Sequence, residues 1–152
     1  MQTSSCPLCL SGDAPAIWRN QYLRVIDVPD ADYPGYTRVI WNAHVTEMTD
    51  LDAAARQYLM EAVWKVEAAL RSTLTPHKVN LAQFGNQVPH LHWHVIPRWP
   101  LDPHFPDAVW AVVRPRTPDE QREWQSLCAK QDRLLPAYHE ALRHALDTSL
   151  HI

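Results

Sequence analysis

His90-Leu91-His92-Trp93-His94-Val95-Ile96 constrains this chain more than any other stretch. Three imidazoles recur at every second residue, with Leu91, Trp93 and Val95 between them. Alternation of this kind is the strand period, so the run predicts a strand over Pro89–Pro97 with the histidines on one face and the apolar residues on the other. Alternate side chains on a strand stand roughly 6.5–7 Å apart, a spacing that lets three imidazoles converge on one phosphate or one metal ion. A neutral imidazole offers a nucleophilic nitrogen, and a protonated one a cationic donor. The bland alternative is a chance cluster on a solvated face, and the regular insertion of large apolar residues argues against it.

The remaining strand and helix signals build an α+β domain around that run. Ala16–Arg19 and Tyr22–Val28 read as short strands about an Asn20-Gln21 turn. Asp30 to Gly35 is turn chemistry, and Tyr36–Trp41 follows as a central strand. Asp50 is positioned to cap a long helix over Leu51–Leu74, with Leu51, Tyr58, Leu59, Ala62, Val63, Val66 and Leu70 as its buried stripe and Pro76 as its stop. Lys78–Phe84 is a further strand, and Ala108–Val113 is expected to be the last. Thr117-Pro118-Asp119-Glu120 opens a C-terminal helix that is expected to break near Pro136. The expected fold is a mostly antiparallel sheet of about five strands with one long helix and a C-terminal helix.

Length and charge restrict the function classes. A chain of 152 residues suits one domain, 1–152, with a core over about 6–100 and a C-terminal strand and helices over 101–152. A net charge of -3 gives no electrostatic case for binding duplex nucleic acid. No apolar run approaches a membrane span, and the first residues lack an apolar signal core. Three cysteines do not make a disulfide scaffold. These features predict a cytoplasmic protein without membrane partners.

The His90–Ile96 pattern, preceded by Gly85-Asn86-Gln87-Val88 and followed by Pro97-Arg98, resembles the signature of the histidine triad (HIT) family. Pro34-Gly35-Tyr36-Thr37-Arg38-Val39-Ile40, followed by Asn42-Ala43-His44-Val45, is similar to that family's second strand and the loop after it. The resemblance covers roughly residues 6–100. It implies a HIT-like fold and nucleotidyl chemistry at an α-phosphate. It makes His92 the nucleophile of a nucleotidyl-histidine intermediate, His94 a phosphate contact and His90 an orienting group or metal ligand. Asn86 stands where the family often has glutamine and becomes a substrate contact, with Asn80 a weaker candidate. Many members carry a further histidine where this chain has Tyr36. The implied partners are a purine nucleotide or nucleotide conjugate and a second copy of the chain, a homodimer formed through the triad strand and the long helix.

Cys6-Pro7-Leu8-Cys9 can supply half of a tetrahedral zinc site. Some HIT relatives resemble this arrangement and complete it with a histidine after the second strand and the first of the triad, here His44 and His90. The chemistry itself is expected to need no cofactor, and any zinc would be structural. Two other functional classes stay open: a metal-dependent hydrolase with His90, His92 and His94 as ligands, and a nucleotide-binding module without turnover. Among the remaining residues, His104 is a candidate for the pocket edge. Trp41, Trp64, Trp93, Trp110 and Trp124 read as packing residues, and Cys128 as a buried helix residue.

Overall fold

A computed structural model describes residues 5–150. Five antiparallel strands form one sheet in the order β1-β2-β3-β5-β4. They are β1 (Trp18–Arg19), β2 (Leu23–Asp27), β3 (Thr37–Trp41), β4 (Lys78–Gln83) and β5 (His92–Arg98). A short helix α1 (Pro7–Leu10) precedes them, α2 (Ala53–Thr73) links β3 to β4, and α3 (Pro118–Ser149) closes the described chain. The α+β architecture expected from the sequence is the one found.

The sheet is amphipathic in a way that the alternating residues dictate. Leu23, Val25, Val39, Trp41, Val79 and Val95 project into one cluster with Tyr58, Leu59, Ala62, Val63, Val66 and Leu70 of α2. Tyr138, Leu142 and Leu146 of α3 complete that layer. His92, His94, Ile96 and Arg98 therefore leave the opposite face, together with Arg38 and Ile40, which are paired with His94 and His92 across β3. Ile40 and Ile96 on this second face are as buried as the core proper.

Three local expectations need correction. The long helix starts at Ala53, where the Asp52 carboxylate accepts from the Ala55 amide at 2.8 Å. Asp50 instead closes a preceding 3₁₀ turn, Met48–Asp50, by accepting from the Thr46 and Glu47 amides, and Leu51 between the two is extended. Both aspartates are good caps, and the extended Leu51 decides which begins the helix.

The C-terminal helix does not break at Pro136 but runs unbroken from Pro118 to Ser149. A proline inside a helix costs about 3 kcal/mol. Here the residues on either side of it, Gln131 before and Tyr138, Leu142 and Leu146 after, are all buried along one stripe. Their packing holds the axis across the proline. Finally, Ala108–Val113 forms no strand. Trp110 is 66% exposed and Val112 91%, so the run has no sheet to lie against, and an Ala111-to-Ala108 backbone bond turns it instead.

The triad strand lies inside the sheet, hydrogen-bonded to β3 on one side and β4 on the other. It therefore offers no free edge to a second copy. The edges belong to β1 and β4.

Because α3 buries Leu142 completely beyond the proline, Leu142→Ala should destabilise the protein by about 2–5 kcal/mol. Urea unfolding followed by circular dichroism checks this. A loss below about 1 kcal/mol would mean that the helix past Pro136 is not packed as described.

Candidate active site

The histidine face holds two separate constellations, and the backbone around His90 divides them. His90 lies just before β5 and is fully buried. Its Nε2 donates to the Trp41 carbonyl at 2.6 Å, since a carbonyl can only accept. That leaves Nδ1 as the lone-pair nitrogen, 3.4 Å from Cys6 Sγ and 3.5 Å from Cys9 Sγ. Cys9 Sγ is also 3.4 Å from His44 Nδ1. All four ligand atoms lie within 4.8 Å of one another.

A tetrahedral centre with zinc–sulfur bonds near 2.3 Å and zinc–nitrogen bonds near 2.0–2.1 Å separates its S and N ligands by about 3.5 Å. The donor set, its spacing and the carbonyl anchoring His90 Nε2 all fit a structural zinc. The sequence reading named these four residues. Among the described residues it is Cys6, Cys9 and His44 that gather with His90, while His92 and His94 face elsewhere.

His92 and His94 open onto a cavity of about 360 Å³. The His92 Nδ1 lies 2.5 Å from the His90 carbonyl oxygen and must carry the proton, so Nε2 keeps its lone pair. No hydrogen bond among the described residues engages that Nε2. Burial, opposed by the bond to the His90 carbonyl and reinforced by the Arg38 charge, leaves the His92 imidazole harder to protonate than usual. Burial, with His92 and Arg38 nearby, pushes His94 down to about 4. Both rings are therefore neutral at pH 7. The Tyr36 hydroxyl reaches His94 Nδ1. Tyr36 thus occupies His94 Nδ1, and with the phenol donating, His94 Nε2–H becomes a donor.

The cavity walls around the two histidines come from four places. Phe84, Asn86 and Gln87 belong to the loop between β4 and β5, Trp110 comes from the loop before α3, and Leu8 comes from α1. The Phe84 ring stands 5.5 Å from His94 and 4.9 Å from Trp110. Arg38 completes the lining from β3. Asn86 thus stands where the sequence reading wanted a substrate contact. Asn80 does not. It faces a different cavity on the outer side of β4, and its Oδ1 accepts from Arg98 Nη1 at 2.6 Å. His104 is also away from the cavity edge, with its Nδ1 2.5 Å from the Tyr33 hydroxyl. Cys128 is only partly buried on α3. Trp41 and Trp124 are core residues and Trp93 packs against the core, but Trp110 lines the site.

Arg38 was absent from the sequence candidates. Its signal was a charged residue at the one position of Thr37-Arg38-Val39-Ile40-Trp41 that faces His94 across the sheet.

A buried carboxylate fixes the loop that carries Trp110. Asp102 accepts from Arg98 at 2.7 and 3.0 Å and from the amides of Trp99, His104 and Phe105. Burial raises its affinity for a proton, but the bonds from Arg98 and these amides outweigh it and hold the carboxyl below the ordinary range.

A model of the HIT domain family matches residues 12–101. The curated protein "Protein hit" of Bacillus subtilis is 30% identical over 117 residues, spanning 70% of this chain and 79% of its own length. An AP-4-A phosphorylase of Mycobacterium tuberculosis is 31% identical over 78 residues, 47% of this chain but only 40% of its own length. A histidine triad protein of Bradyrhizobium japonicum superposes with a TM-score of 0.62 at 30% identity, over 88% of this chain and 96% of the other. A zinc-bound HIT family protein of Mycobacterium smegmatis does so at 0.53 and 26%, over 85% and 96%. Among the described residues no helix is long and apolar enough to cross a membrane.

The depressed Asp102 carboxyl makes a pH prediction. Its contribution to stability is complete above the unfolded value, about 3.9, and is lost as pH falls through the lower native value. Asp102→Asn should cost about 3–5 kcal/mol at pH 7, because the buried Arg98 then lacks its counter-charge. The variant's stability should also fall less steeply than the wild type's below about pH 4. Denaturant midpoints measured from pH 2.5 to pH 7 check both statements.

The sequence signature, the sheet that presents it and the family match agree: this chain belongs to the HIT family.

Proposed function

We propose that the chain is a nucleotide hydrolase or nucleotidyl transferase that acts at the α-phosphate of nucleoside phosphate conjugates through a nucleotidyl-histidine formed on His92. The observation that carries this reading is the His92 Nδ1 bond to the His90 carbonyl, which aims a free Nε2 lone pair into the cavity. In the first step Nε2 forms a bond to phosphorus while the bond from phosphorus to the leaving group breaks. The leaving group departs with the bonding pair and takes a proton from water. In the second step water attacks phosphorus, loses its proton to solvent, and the nucleoside monophosphate leaves with His92 restored. Dividing one displacement into two is the advantage of covalent catalysis.

His94 Nε2–H and the Asn86 amide supply neutral donors to the phosphate oxygens, and in a water-poor cavity such donors act with little reorganisation. Phe84 and Trp110 give the purine an apolar wall. The AP-4-A phosphorylase relative supports a nucleotide substrate. Zinc at Cys6, Cys9, His44 and His90 supplies a structural cross-link, since four protein ligands leave no open coordination position. The chain acts as one domain and as a C2 homodimer. The free edge of β4 and the exposed Trp64 on α2 support that pairing.

The test of the chemistry is a panel of diadenosine polyphosphates and adenosine phosphoramidates assayed for AMP release, with acid-quench trapping of labelled protein. Wild type should form an adduct and release AMP. His92→Asn should lose turnover by at least about a thousandfold while still binding AMP, because the nucleophile acts mainly in the transition state. Wild-type turnover by His92→Asn would end the covalent reading.

Metal analysis of protein purified without chelator should find about one zinc per chain. Cys6→Ser with Cys9→Ser should lower the thermal midpoint while the folded fraction keeps its adduct-forming ability. Metal-free wild type of unchanged stability would rule the zinc out.

A further inference from the structure

Among the residues lining the histidine cavity, Arg38 is the one lysine or arginine. It sits on β3 as the cross-strand partner of His94, a placement that brings side-chain roots within about 4.5–5.5 Å. Its guanidinium lies over the Tyr36 ring, 5.6 Å from the centroid, so the same phenol braces both Arg38 and His94. No carboxylate or other acceptor among the described residues holds this guanidinium, and its Nε is buried without a hydrogen-bond partner. The other half-buried or buried arginines of this face are engaged: Arg98 by Asp102, Arg24 by Asn42 and the Leu8 carbonyl. Leaving a buried charged donor unpaired costs free energy, and an anionic ligand removes that cost.

Position within the sheet separates Arg38 from the other donors. The histidine strand β5 lies between β4, whose following loop brings Asn86 and Phe84, and β3, which brings Arg38. A phosphate seated over His92 thus has neutral amide and ring donors on one flank and the guanidinium on the other. A singly charged phosphate diester is satisfied by the neutral donors, which leaves the guanidinium for further negative charge on the substrate.

We infer that Arg38 binds the phosphate adjoining the one attacked, and so directs the enzyme to substrates whose leaving group is itself a phosphate rather than an amine. This rests on the proposed nucleotidyl chemistry for its catalytic half alone, because the binding preference exists without turnover. As the bond to the leaving group breaks, negative charge accumulates on the leaving phosphate, and Arg38 stabilises it there.

Two measurements test the proposal. Calorimetric titration with AMP and ADP should show wild type binding ADP about 10–100-fold tighter, the range expected for a charge-assisted hydrogen bond. Arg38→Gln should bind the two alike, with its AMP affinity changed less than about threefold. Arg38→Lys should keep part of the preference, since it restores the charge without the planar fork. In the kinetic arm, kcat/KM of Arg38→Gln should fall about a hundredfold for diadenosine tetraphosphate and less than about fivefold for adenosine 5′-phosphoramidate. Thermal midpoints verify that each variant folds, and Arg38→Lys decides the matter if Arg38→Gln does not.

Equal wild-type affinity for AMP and ADP, or no binding of either, overturns the inference. So does a parallel loss of both nucleotides in the variants, which would put Arg38 on the attacked phosphate. An ADP preference that depends on Arg38, in a protein that forms no adduct with any substrate, would sink the covalent reading and leave this one standing.

Discussion

The short bond between the His92 ring and the His90 carbonyl is the contact on which the rest of the histidine face depends. It fixes the tautomer of one ring by using the backbone of another histidine residue. That backbone is itself immobilised from three sides. The His90 ring is anchored to the Trp41 carbonyl, its other nitrogen faces the two thiols, and the His90 amide donates to Val88. The proposed attack by His92 Nε2 calls for support of this rigidity, because small angular errors in a reacting nitrogen cost rate steeply. The alternating histidines thus do unlike things. One is structural to the strand's entry, one presents a lone pair, and one pairs with the Tyr36 hydroxyl beside it.

This division was only half legible in the sequence. Alternation reported a strand and its two faces, correctly for His92 and His94, because large apolar residues fill the gaps of a two-residue period. It could not report that His90 precedes the regular strand, where the backbone turns its ring toward the Cys6–Cys9 segment. The resemblance to HIT proteins supplied that grouping. Arg38 went unread for a related reason. A lone arginine among valines and isoleucines looks like a solvated strand position until the register pairs it with His94.

The misread elements share one cause, local propensity overruled by what surrounds it. Pro136 carries a strong stop signal, and Tyr138, Leu142 and Leu146 override it through burial against α2 and the sheet. Ala108–Val113 has strand composition, yet its exposed valines find no partner strand. Asn80 stands on the correct face but is held by Arg98, a contact between strands that no single-strand pattern can announce. Where the signal was local and unopposed, as at Thr117-Pro118-Asp119-Glu120, the helix opens as expected, and a capping box closes its first turn.

The way Asp102 holds its loop has a consequence for how such a chain can diverge. The amides of Trp99, His104 and Phe105 converge on one carboxylate at fixed offsets, and Arg98 reaches it from the end of the histidine strand. A single inserted or deleted residue between Trp99 and Phe105 would pull donors off a charge that has no water to turn to. That segment is therefore frozen in length, and Arg98 and Asp102 are exchangeable only together. The exposed tip around Val112 carries no such restraint. Heritable variation in the outer wall of the cavity is thereby channelled to a few residues beside Trp110, where length and apolar character can change while the histidines stay where they are.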